Sequence, residues 1–97
     1  MKKHIIKNTK ELGKLLGLSE ADAIEAEIKS DMMGKIRELI TKEGLTHQEV
    51  ADRSGVGRTV ITQIVNCSIQ RITIDRLIRV LVSLDTHPVI KYKNLAS

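Results

Sequence analysis

The side chains best suited to chemistry in this 97-residue chain gather between residues 45 and 71. Arg58, Thr59, Thr62, Gln63 and Asn66 are spaced to share one face of a helix, with Ile61 and Ile64 on the other side. An Arg or Gln grips a base edge with paired hydrogen bonds, and a Thr methyl touches thymine. Arg71, in the loop beyond that helix, carries a group suited to phosphate oxygens rather than bases. The chain has no nucleophile–base pair, no paired carboxylates and no glycine loop shaped to cradle phosphate, so an enzyme is not expected. His4, His47 and His87 lie far apart and Cys67 is the single cysteine, so neither a metal site, a cofactor nor an internal disulfide is expected.

A formal net charge of +4 favours anionic partners, and its placement says more than its size. Glu20, Asp22, Glu25, Glu27 and Asp31, against Lys29, make residues 20–31 acidic. From Arg53 to Arg79 every base is an arginine: Arg53, Arg58, Arg71, Arg76 and Arg79. Its planar fork suits phosphate and guanine. Tyr92 is the lone aromatic residue, which argues against single-strand binding by base stacking and leaves the core to Leu, Ile, Val, Met and Ala. No continuous apolar stretch matches a signal peptide or a membrane span, so a cytoplasmic protein with no membrane partner is expected. A chain this short forms one compact domain and gains from oligomerisation.

The elements that must position these residues follow from pattern and punctuation. Residues 1–8 read as a loose basic arm, and Thr9 to Leu16 as a short helical pattern stopped by Gly17. Ser19 opens an amphipathic run in which Ile24, Ile28, Met32, Ile36 and Ile40 recur every four residues, with Met33 and Leu39 beside them. This is one long helix, or two broken near Ser30 and Asp31. Gly44 ends it. Thr46 and Glu49 form a capping box that starts a short helix with Val50 and Ala51 inward and Gly55 closing it. A second short helix is expected from Arg58 to Asn66, then a loop over 67–72, then a helix opened by Thr73 and Asp75. Pro88 to Lys93 alternates apolar and basic residues, as an exposed strand paired with its twin in a dimer would. The divisions are an arm and helical extension over 1–30, a domain over 31–85 and a tail over 86–97.

Two short helices joined by Ser54-Gly55-Val56-Gly57 have the geometry of a helix-turn-helix, whose second helix lies in the major groove of double-stranded DNA. Leu45 to Asn66 closely resembles the XRE family, the Cro and lambda-repressor type of DNA-binding domain. Its frame is met at Leu45, Thr46, Glu49, Ala51, Gly55, Val56, Ile61, Ile64 and Asn66. The resemblance implies an all-α, five-helix lambda-repressor-like domain, here with an N-terminal helical extension and a short C-terminal strand. It also implies a homodimer on an operator of two-fold symmetry. His47 departs from the family's usual phosphate-contacting Gln, so the resemblance implies phosphate contact by His47 or its neighbour Gln48. Gly57 departs from the family's Ser or Thr cap, and Cys67 from the glycine after Asn66.

Residues 16–33 and 72–81 look like an XRE subgroup of HigA-like antitoxins. That likeness implies repression of the protein's own operon and binding of a RelE/HigB-like ribonuclease toxin by the N-terminal arm and acidic helix. The alternatives are a stand-alone XRE-type repressor without a toxin, and a protein-interaction module that does not bind DNA.

Overall fold

The computed structural model describes Gly17 and residues 19–95. The expected basic arm and the helical pattern from Thr9 to Leu16 lie outside the described residues. Helix α1 spans Glu20–Glu43 without a break, so Ser30 and Asp31 are helix interior rather than a second cap. Its start is set by Ser19, whose Oγ accepts the Asp22 N–H at 3.0 Å. Helix α2 spans His47–Ser54, α3 spans Arg58–Val65, and α4 spans Ile74–Ser83, with a 3₁₀ turn at Ile69–Arg71 inside the expected loop.

Each of the four described helices is closed by a residue in the left-handed region, at the cap or one position beyond it, where the chain reverses and the last carbonyls find partners. Gly44 (φ 63°) and Gly55 (φ 74°) do so at no steric cost. Cys67 (φ 59°) and Asp85 (φ 57°) take the same conformation with a side chain attached. Beyond α3, the Cys67 N–H donates to the Ile64 carbonyl at 3.0 Å and the Ser68 N–H to Gln63 at 2.9 Å. Asp85 and Thr86 repeat the pattern on Val82 and Leu81. The glycine that the resemblance places after Asn66 is thus replaced while the turn it would make is kept.

The core is aliphatic, as the composition requires. Met33 and Ile36 of α1, Val50 of α2, Ile61 and Ile64 of α3, Ile72 before α4, and Leu77 and Val80 of α4 are fully buried. The α1 pattern does not stay inward along its whole length. A row at every fourth residue drifts about 40° per step around a 3.6-residue helix. Met32, Ile36 and Ile40 are buried, while Ile28 is 43% exposed and Ala23 and Lys29 take its place inside.

The described residues contain four α-helices and the 3₁₀ turn, the pattern from Thr9 to Leu16 lying outside them, and Pro88 to Lys93 forms no strand where one was expected. A strand needs a neighbour for its backbone groups, and the single chain offers that segment none among the described residues. The tail leaves Val89, Ile90, Tyr92 and Leu95 at 72–93% exposure.

Candidate nucleic-acid interface

Helix α2 is fixed at its start by a complete capping box. The Thr46 Oγ1 accepts the Glu49 N–H at 3.0 Å, and the Glu49 carboxylate accepts the Thr46 N–H at 2.8 Å. The Thr46 N–H on the Glu49 carboxylate, and then the Thr46 hydroxyl beside it, hold the Glu49 carboxyl below its ordinary range. Its end is set by Gly55, whose N–H donates to the Ala51 carbonyl at 2.9 Å. Ser54 braces the turn: its hydroxyl donates to the Val50 carbonyl at 2.7 Å and accepts the Val56 N–H at 3.1 Å. Val56 is buried, as a residue plugging the turn should be. Gly57 then begins α3 in an extended conformation with no side-chain cap.

With Ile61 and Ile64 fully buried, α3 can present only its opposite side. Arg58, Thr59 and Asn66 are exposed there, and Thr62 and Gln63 are half-buried along the same helix. Among the described residues neither Arg58 nor Arg71 has an ion-pair partner, so both guanidinium forks are available to an outside anion. Arg53 differs, since it lies 3.8 Å from Glu43 and ties α2 to the end of α1.

The flanking residues are more committed than the sequence indicates. His47, the first residue of α2, is half-buried with its Nδ1 at 2.9 Å from the Thr62 Oγ1 of α3. Gln48 is exposed, but its amide donates to Asp52 at 2.9 Å within α2. Arg71 closes the 3₁₀ turn, its N–H on the Ser68 carbonyl at 3.1 Å and its side chain exposed.

One residue that sequence reasoning did not single out also belongs here. Lys29 of α1 is buried and reaches the carbonyl of Ile69, in the turn that carries Arg71. The signal available was its place as the lone base in an acidic run. At the start of α4 an expected cap takes another form: the Thr73 hydroxyl bonds the Asp75 carboxylate, depressing its pKa, instead of accepting a helix N–H.

Among the described residues no group of three His, Cys, Asp or Glu could hold a metal, and no helix is long and apolar enough to cross a membrane. Neither curated proteins nor solved structures give a match. Residues 14–92, most of the chain, match the family described as Helix-turn-helix domain. With α2, the Ser54–Gly57 turn and α3 in place, the chain belongs to the helix-turn-helix domain family.

Proposed function

We propose that this protein is a sequence-specific, double-stranded DNA-binding transcriptional regulator, with α3 as the helix that enters the major groove. The observation that carries the reading is the division of α3. Ile61 and Ile64 are sunk in the core, which leaves Arg58, Thr59, Thr62, Gln63 and Asn66 as its outward chemistry. Arg71, His47 and Gln48 supply phosphate contacts on either side.

The protein acts in the cytoplasm as a homodimer, because reading two half-sites one helical turn apart requires a second copy. An apolar groove of about 600 Å³ between α1, α4 and the tail supports that pairing. Ile28, Ile78 and Ile90 line it, and its rim carries both Asp31 and Lys91, so a two-fold contact sets acid against base. Within this reading the HigA-like resemblance favours an autorepressing antitoxin. The exposed acids Asp22 and Glu25 of α1, outside the groove, suit a basic RelE/HigB-like ribonuclease.

Selection from a random duplex pool, followed by titration, tests the reading. Gln63→Ala relaxes sequence preference, while Arg71→Ala weakens all sequences alike. If Gln63→Ala left both affinity and preference untouched, α3 would not be the reading helix. Sedimentation at micromolar concentration tests the dimer, and a monomer with and without DNA would exclude it. A small RelE-like reading frame beside the gene, whose product co-purifies with this protein, separates the antitoxin from a stand-alone repressor.

A further inference from the structure

We infer that Lys29 is a positioning residue for DNA contact: by holding the Ile69 carbonyl it fixes the turn that carries Arg71. This inference rests on the DNA-binding reading above. Lys29 is only 9% exposed, while its acidic neighbours Asp22, Glu25, Glu27 and Asp31 are all exposed. Burying an ammonium is costly unless its donors find acceptors. Its Nζ donates to the Ile69 carbonyl at 3.5 Å, forty residues along the chain, and lies 3.9 Å from Glu25 on its own helix.

The turn it reaches is already bracketed on both sides. Cys67 and Ser68 are tied to the end of α3 by their N–H groups, and Ile72 is buried at the entry to α4. Only Ile69, Gln70 and Arg71 lie between. Within them the closing hydrogen bond, from the Ile72 N–H to the Ile69 carbonyl, is long at 3.4 Å. That same carbonyl also accepts Lys29, so the ammonium adds a second tether where the turn's own closure is longest. The Arg71 side chain projects from this turn into solvent without an ion-pair partner among the described residues. A guanidinium held on a fixed turn reaches one phosphate; on a loosened turn it loses part of that contact to conformational entropy.

The test is a double-mutant cycle on duplex binding, read by anisotropy with a fluorescein-labelled mixed-sequence duplex between about 50 and about 200 mM KCl. Arg71→Ala is expected to weaken binding about threefold and to lower the salt slope by about one counterion. Lys29→Met keeps the apolar stem and removes the donor. It is expected to cause the same loss, the double variant is expected to lose no more, and Lys29→Arg is expected to restore wild-type binding. Amide exchange in the free protein gives a second readout. Lys29→Met should speed exchange at residues 69–72 while α2 and α3 stay protected, a pattern that general destabilisation would not give.

Three results overturn the proposal while leaving duplex binding itself intact. These are losses from Lys29→Met and Arg71→Ala that add, an unchanged Lys29→Met, and an unchanged Arg71→Ala. Wild-type protein that shows no salt-dependent duplex binding overturns the DNA reading, and this inference with it.

Discussion

The Nδ1 of His47 lies 2.9 Å from the Oγ1 of Thr62, joining the first residue of α2 to the middle of α3 across the turn. With Nδ1 engaged by Thr62, Nε2 is the ring nitrogen left to face an outside group, and it donates to a phosphate in the tautomer whose Nδ1 accepts the Thr62 hydroxyl. A residue expected to touch DNA therefore also sets the pose of the helix expected to read it. His47→Ala, Thr62→Val and the double variant form a cycle measurable by urea unfolding. The expected coupling is about 0.5–1.5 kcal/mol. A coupling of zero would show that the contact contributes nothing to the fold.

The Thr46–Glu49 box gives a pH-dependent stability. Glu49 titrates below its ordinary range because Thr46 bonds its carboxylate, so the folded state favours the ionised form. Stability from this group is full above the unfolded glutamate pKa and is lost as pH falls through the lower folded value. Thr46→Ala should cost about 1 kcal/mol at neutral pH. Unfolding midpoints on descending from neutral into the acid range should fall less steeply in Glu49→Gln, which has no carboxylate to protonate, than in wild type. Parallel curves would remove Glu49 from the acid sensitivity.

Gly57 leaves the first turn of α3 uncapped, in an extended conformation that serine adopts readily. A Cβ placed there meets no atom within 4 Å. Gly57→Ser is therefore expected to raise stability by a few tenths of a kcal/mol, about 0.3, through a new side-chain cap. A lowered melting temperature would contradict the open geometry at this position.

Cys67 is exposed and held at φ 59°, where a side chain adds strain and a glycine does not. The strain relieved by Cys67→Gly exceeds the entropy gained by the unfolded chain, so the variant should be more stable by about 0.5–1 kcal/mol. Thermal unfolding under reducing conditions measures it. A loss of stability would mean that the thiol contributes a contact outweighing its backbone strain.

Helix starts and glycine stops were legible because each is a local device. Ser19, Thr46, Gly44 and Gly55 act within a few residues of themselves, and the structure uses all of them. The stops at Cys67 and Asp85 were not legible, since Cys seldom takes the left-handed conformation and Asp takes it far less often than Gly. The inward side of α3 was clear from Ile61 and Ile64. Its engagement with His47 was hidden, because that contact spans fifteen residues and depends on how two helices pack. Lys29 was hidden for the same reason: in sequence it is one charge in a charged run, and only the fold brings Ile69 to it. The exposure of Ile28 followed from a drift that a row of apolar residues does not announce.

Tyr92, the chain's only aromatic ring, sits 93% exposed in the tail rather than in the core. Intrinsic ultraviolet fluorescence therefore comes from one ring that is already in water when the chain is folded. Melting the aliphatic core will scarcely change that emission, so unfolding must be followed by backbone circular dichroism. Any molecule that settles on the tail, a second copy included, will shift it. The protein is optically silent where it is packed and optically labelled where it is bare.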